Sequence, residues 1–270
     1  RVPAWLALED GSVFAGVSFG AVGETAGETV FNTSMAGYQE VLTDPSYKGQ
    51  MVVMTPSHVG NYGINDEDGE SARAHVEGFI VREACREPSN WRSRSSLGDF
   101  LARHGIPGIE GVDTRAIVTL LRSKGALRGV ISTTEKRAAV LVKRAKAVPP
   151  IEGRDLVQEV SCERAYDWSE AVGRLEGPET APRQLELPGP GATCHAVVVD
   201  CGVKFNILRS LVSAGCRVTV VPAFTGAEDI LALRPDGVVF SNGPGDPERL
   251  PRLCDAVRGL AGKVPVFGIC

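Results

Sequence analysis

Between residue 195 and the end of the chain, four short apolar runs recur with helix-like segments between them, and no other feature limits the possible folds so strongly. The runs Ala196 to Val199, Val218 to Val221, Gly237 to Phe240 and Val264 to Ile269 begin 22, 19 and 27 residues apart. That spacing leaves room for one crossover helix between successive strands and predicts a parallel sheet. Lys204 to Ala214 places apolar residues at 205, 207, 208, 211 and 212 and stops at Gly215, while Leu250 to Leu260 places them at 250, 253, 257 and 260. Both read as helices with one apolar face. Val264 to Ile269 reads as a strand buried on both faces, which needs a further helix to cover it. The expectation is that these 270 residues belong to a longer chain, and a first residue that is Arg rather than Met agrees with it.

The first 150 residues follow a different pattern. Short apolar runs at Trp5 to Leu8, Val13 to Phe19, Thr29 to Phe31, Met51 to Met54 and Val76 to Val81 alternate with turn residues and read as strands. Two helices interrupt them. Leu97 to His104 is closed by Gly105, and Arg115 to Lys124 has Asp113 or Thr114 as its N-cap and Gly125 as its C-cap. The predicted class is α/β: a mixed β/α domain over 1–150, a connecting segment over 151–192, and the amino-terminal part of a doubly wound parallel-sheet domain over 193–270. Pro178, Pro182, Pro188 and Pro190 mark the connector.

Charge and cysteine usage narrow the partners. With 29 basic and 33 acidic residues the formal charge is −4, which excludes the basic footprint of a general nucleic-acid binder. The seven cysteines, at 85, 162, 194, 201, 216, 254 and 270, form no C-x-x-C pair and no Cys/His cluster. Reduced thiols and no zinc site are expected. No apolar run approaches membrane-spanning length and the first residues lack a signal-peptide pattern, so the cytoplasm is the expected compartment.

Taken alone, the candidate chemical residues are ambiguous. Ser241-Asn-Gly-Pro-Gly-Asp-Pro247 follows a buried strand directly, where doubly wound sheets bind ligands and glycines admit backbone N–H groups to an anion. The same residues also make an ordinary tight turn. Cys270 ends a strand behind Gly268, the position where a strand-to-helix turn presents a nucleophile, although a single cysteine there reads first as a buried apolar thiol. Asp44-Pro-Ser-Tyr47 reads as a turn in which Ser46 either caps the backbone or meets a ligand. None of the histidines at 58, 75, 104 and 195 is placed so as to demand catalysis, and Asp66 to Glu70 reads as a solvated acidic loop rather than a metal site.

Together, a set of motifs is more specific. Phe31-Asn-Thr-Ser-Met-Ala-Gly-Tyr-Gln-Glu40, Leu42-Thr-Asp-Pro-Ser-Tyr47, Gly60-Asn-Tyr-Gly63, Gly105-Ile-Pro-Gly108, Gly111-Val-Asp-Thr-Arg115, Ser241 to Pro247 and Pro265-Val-Phe-Gly-Ile-Cys270 run in order along nearly the whole chain. In this set the chain resembles the small, glutamine-hydrolysing subunits of carbamoyl phosphate synthetase. The last two motifs alone resemble any class I glutamine amidotransferase, whereas the stretches Asn32 to Tyr47 and Val112 to Arg115 resemble the leader domain of the small subunits, which other amidotransferases lack.

The resemblance implies that glutamine is cleaved to glutamate and ammonia, with Cys270 as the nucleophile that forms a γ-glutamyl thioester. It implies that the Gly243 N–H, with that of the residue after the cysteine, holds the oxyanion, and that Ser46, Gly243 and Gly245 bind substrate glutamine. It further implies a large synthetase subunit as partner, a heterodimer, shielded passage of ammonia, and carbamoyl phosphate for arginine and pyrimidine synthesis. Bicarbonate, ATP and magnesium are expected on that large subunit and no cofactor on this chain, which has no G-x-x-x-x-G-K-[ST] loop. The family's downstream histidine and glutamate are absent from the 270 residues, so the piece by itself is expected to be inactive. Two other readings stand beside this one: a non-catalytic assembly subunit of the same fold, and an amidotransferase serving another synthetase.

Overall fold

The computed structural model describes residues 2–173 and 194–270. The chain divides into two compact units, Arg1–Glu152 and Gly153–Cys270. The first contains strands β1 (Pro3–Leu8), β2 (Val13–Ser18), β3 (Glu24–Asn32), β4 (Gln50–Met54), β5 (His58–Val59), β6 (Gly78–Ile80), β7 (Glu83–Ala84), β8 (Gly108–Glu110) and β9 (Leu127–Ser132). Its helices are α1 (Tyr38–Thr43), α2 (Leu97–Arg103), α3 (Thr114–Lys124) and α4 (Ala138–Ala147).

Seven of these strands close into a barrel in the order β1-β2-β8-β6-β4-β3-β9, with β9 returning to β1. Closure removes the unpaired backbone edges that an open sheet exposes. It depends on pairing Trp5 with Ser132, residues far apart in the chain, so local periodicity could not reveal it. The continuous apolar run of β4 is explained by burial on both faces. Met51 and Val53 pack with Leu6, Leu8, Ile80, Ile109 and Ile131, while Val52 and Met54 pack with Leu42, Leu97 and Leu101 of the flanking helices. The helix ends follow from their caps. Asp113 is the N-cap of α3, its carboxylate accepting from the Ala116 N–H at 2.9 Å, and Gly125 ends that helix at φ 84°.

The second unit is a five-stranded sheet flanked by helices. Its strands are β10 (Tyr166–Trp168), β11 (His195–Asp200), β12 (Arg217–Pro222), β13 (Gly237–Phe240) and β14 (Val266–Gly268); its helices are α5 (Val157–Val160), α6 (Phe205–Ser213), α7 (Ala227–Ala232) and α8 (Pro251–Leu260). The order is β10-β12-β11-β13-β14, with β11 to β14 mutually parallel and β10 antiparallel at one edge. Val198, Val218, Val220 and Val239 meet Leu208 of α6 on one face. Val197, Val199, Val221, Val238 and Phe240 meet Ile230 of α7 and Ala256 and Leu260 of α8 on the other. Helices on both faces make the sheet doubly wound.

One expectation changes. Residues 153–173, expected to connect domains, contain α5 and the edge strand β10, a three-residue strand too short to show alternation in the sequence. Pro178, Pro182, Pro188 and Pro190 lie outside the described residues. Among the described strands β14 pairs with β13 alone. Among the described residues, no helix is long and apolar enough to cross a membrane.

The barrel account makes a measurable claim. Leu6→Ala, which empties a fully buried site facing Met51 and Ile131, should cost about 2–5 kcal/mol in denaturant unfolding of the first unit. A loss below about 1 kcal/mol would place Leu6 outside the core.

Candidate active site

The carboxyl ends of β11, β13 and β14 are neighbours, because Val199 pairs with Phe240 and Phe240 with Gly268. The residues that follow these three strands therefore gather along one edge of the second sheet, where doubly wound folds place their ligands. At the end of β11 the buried carboxylate of Asp200 organises the chain. Its Oδ1 accepts from the N–H groups of Gly202 at 2.9 Å and Val203 at 2.8 Å, and its Oδ2 accepts from the Cys162 N–H at 2.8 Å. Such charge-assisted bonds hold the turn after β11 in one conformation.

The turn after β13 is tied to it. Ser241 Oγ accepts from the Cys201 N–H at 3.0 Å, and the Asn242 side chain donates to the Gly202 carbonyl at 2.9 Å while accepting from the Lys204 N–H at 3.3 Å. Ser241 and Asn242 are both buried. These bonds press Gly243 against Cys201 so closely that a methyl group on Gly243 would collide with the Cys201 carbonyl and lie 2.9 Å from its carbon. Gly245 has φ +80°, a left-handed backbone that glycine adopts without strain. The two glycines are thus required for separate reasons: close approach for Gly243, turn geometry for Gly245.

Cys270 follows β14, beside this turn in strand order, and the Ile269 N–H donates to the Phe240 carbonyl at 3.0 Å. It is exposed, and its φ of +74° lies in the left-handed region that non-glycine residues rarely occupy. A strained residue at the end of a parallel strand is how nucleophile-bearing elbows present their side chain. The other cysteines of this edge are different. Burial, followed by the Asp200 charge, pushes the Cys162 and Cys201 thiols up to about 12, so neither supplies a thiolate near neutrality.

Sequence analysis thus selected three residues that the fold gathers at one sheet edge: Gly243, Gly245 and Cys270. Ser46 belongs to the first unit, in the single helical turn Pro45–Tyr47, where the Ser46 N–H donates to Asp44 Oδ1 at 2.8 Å. Asp200, Ser241 and Asn242 were not selected as site residues, although the Asp200-Cys-Gly202 sequence after an apolar strand carried the signal of a capped turn.

The histidines take structural positions. His195 is buried at the amino end of β11, its Nε2 3.0 Å from Thr219 Oγ1, which itself donates to Asp167 at 2.7 Å. His75 pairs with Ser71 at 3.0 Å, and burial pushes it down to about 4. His104 caps α2, and His58 faces Glu83 at 3.4 Å. The acidic loop is only partly solvated: Arg92 pairs with Glu67 at 2.8 Å and Asp68 at 2.7 Å, while Glu70 is buried. No metal-binding cluster occurs among the described residues. A cavity of about 500 Å³ in the first unit is lined by His58, Arg82, Glu83, Cys85, Arg86 and Glu110, with Arg86 paired to Glu110. His58 faces Glu83 and Arg82 donates to the Val112 carbonyl at 3.3 Å, and the glycine turn is not part of the cavity.

Comparison with known proteins agrees with this arrangement. Residues 6–131 match the model of the carbamoyl-phosphate synthase small chain, CPSase domain, and residues 197–270 match that of class I glutamine amidotransferases. The carbamoyl phosphate synthase small chain of Syntrophotalea carbinolica is 53% identical over 267 residues, covering 99% of this chain and 69% of that one. The chain belongs to the carbamoyl phosphate synthase small-chain family. The small chains of Aquifex aeolicus and Pseudomonas aeruginosa are 50% and 48% identical, with 71% and 70% of their lengths covered. Within this small chain, the capped turn after β11, the glycine turn and Cys270 all fall in the amidotransferase match.

Two measurements check this edge. Gly243→Ala should destabilise the second unit by about 1–3 kcal/mol, because backbone rather than a flexible side chain must move; an unchanged unfolding midpoint would contradict the close approach. Alkylation near pH 8 should modify Cys270 while Cys162 and Cys201 remain unmodified until the pH approaches 12, since a raised thiol pKa delays the reactive thiolate.

Proposed function

We propose that this small chain carries the glutamine-hydrolysing chemistry of a carbamoyl phosphate synthase, with Cys270 as nucleophile. The observation that carries the proposal is the placement of a cysteine with a left-handed backbone after β14, next in the sheet to the strand that leads into the Gly243 turn. The Cys270 sulfur attacks the side-chain carbonyl carbon of glutamine, and the Gly243 N–H donates to the oxyanion that develops. Collapse of the tetrahedral intermediate releases ammonia and leaves a γ-glutamyl thioester. Water then hydrolyses the thioester to glutamate and regenerates the thiol. Gly245 shapes the turn around the substrate, and to Ser46 we assign a hydroxyl contact with glutamine.

Ammonia is a nucleophile only while unprotonated, which favours direct transfer in a shielded passage to a large synthetase subunit. In this reading the large subunit holds bicarbonate, ATP and magnesium, no cofactor is held by this chain, and carbamoyl phosphate serves arginine and pyrimidine synthesis in the cytoplasm. The pair would act as a heterodimer.

The residues present define what this chain does by itself. His195 is the one histidine after residue 152, and it opens β11 at the amino end of the sheet. Gly268 lies level with Val199, four residues along β11 from His195, so about 13 Å separates that histidine from the level at which the segment leading to Cys270 leaves the sheet. His195 is therefore no base for Cys270. These 270 residues by themselves, which span 69% of the Syntrophotalea carbinolica small chain, are expected to release no glutamate, because the proposed chemistry needs a base that they do not supply.

A glutamine analogue with a chloromethyl ketone in place of the amide separates this reading from a non-catalytic assembly role. Alkylation of Cys270 should saturate with analogue concentration and slow when glutamine is added, with weaker protection in Ser46→Ala. Non-saturating labelling that glutamine leaves unchanged would favour the assembly role. Glutamate release by the 270-residue chain should stay at background, and turnover abolished by Cys270→Ser would refute the predicted inactivity.

A further inference from the structure

At the amino end of the second sheet, opposite the glycine turn, two cysteines immediately precede adjacent strands, Cys194 before β11 and Cys216 before β12. His195 pairs with Arg217 in the parallel ladder between β11 and β12, which sets Cys194 against Cys216 one step before it. The Arg217 N–H donates to the Cys194 carbonyl at 2.8 Å and holds that register. Side-chain alternation puts both thiols on one face: Ala196 and Val198 share the parity of Cys194, Val218 and Val220 that of Cys216, and Val198, Val218, Val220 and Cys216 all pack on the α6 face.

We propose that Cys194 and Cys216 form a reversible thiol-modification site, oxidised to a disulfide by a low-molecular-weight disulfide. Neighbouring strands lie about 4.8 Å apart, within the 4.4–6.8 Å of Cα separation that a disulfide spans. Both cysteines lie just outside the regular strands, where the backbone can make the small adjustment that brings two Cβ atoms to bonding distance. Both are free thiols in the structure.

Exposure assigns the order of events. Cys194 is exposed, whereas Cys216 is half-buried, and its burial, followed by the Cys194 thiol, raises its pKa. The Cys194 thiolate attacks the reagent disulfide, forming a mixed disulfide and releasing one reagent thiol. Cys216 then gives up its proton and attacks the Cys194 sulfur, forming the protein disulfide and releasing the second reagent thiol. Two protein thiols are oxidised as one reagent disulfide is reduced to two thiols. The cross-link closes a loop that contains β11, the Asp200 turn and α6. It rests on the register alone and is independent of glutamine chemistry.

The test exposes the full chain to excess oxidised glutathione near neutral pH, followed by acid quench, trypsin without reduction and mass spectrometry. Cys194 falls in the tryptic peptide 184–204 and Cys216 in 210–217. The expected product is these two peptides joined, about 2 Da below their summed masses and separated by dithiothreitol. Cys216→Ser should retain glutathione on Cys194, and Cys194→Ser should abolish the cross-link. The proposal is overturned if the unmutated chain keeps glutathione on Cys194 with Cys216 free. It is equally overturned if the cross-link survives in Cys194→Ser, which would assign it to Cys201, or if Cys194 is recovered only in disulfide-linked dimers.

Discussion

The buried carboxylate of Asp200 is the interaction on which the carboxyl edge of the second sheet depends. A lone buried carboxylate is costly, and this one is offset by three backbone N–H donors from residues 162, 202 and 203. By accepting them it fixes the turn after β11, and that turn is the surface against which Ser241, Asn242 and Gly243 are tied. The same charge, acting with burial, keeps the Cys162 and Cys201 thiols protonated. One side chain therefore shapes the glycine turn and adds to the burial that keeps these two thiols protonated.

The sheet separates its two ends into different chemistry. At the carboxyl end, three parallel strands deliver the capped turn, the glycine turn and the exposed Cys270. At the amino end, the same parallel alignment sets His195 beside Thr219 and Cys194 beside Cys216. Because all four strands run the same way, a residue that opens one strand cannot reach a residue that closes another. This is why the histidine of the second unit is structural, and why a cysteine pair there can respond to oxidants without entering the glycine turn.

Much of this was legible in residues close together in the chain. The spacing of apolar runs after residue 195 indicated a parallel sheet, the Asp113 and Gly125 caps bounded α3, and the glycine turn and Cys270 stood out as motifs. Barrel closure was not legible, because it is a pairing of Trp5 with Ser132 that no local window contains. Nor was β10, whose three residues become a strand only by pairing with Val218 to Val220. Glu70 read as one charge of a solvated loop but is buried, its N–H donating to the Thr43 hydroxyl at 2.9 Å.

The sequence by itself determined the parallel-sheet pattern after residue 195, the caps of α3 and the family the chain resembles, because the first two depend on side-chain chemistry within a few residues and the third on motifs that run in order along the chain. Tertiary structure alone decided which ends meet. It brought Asp200 under the glycine turn, set Cys194 beside Cys216, and closed the barrel of the first unit, since hydrogen-bond register between strands is a property of pairs of segments and is written in neither one.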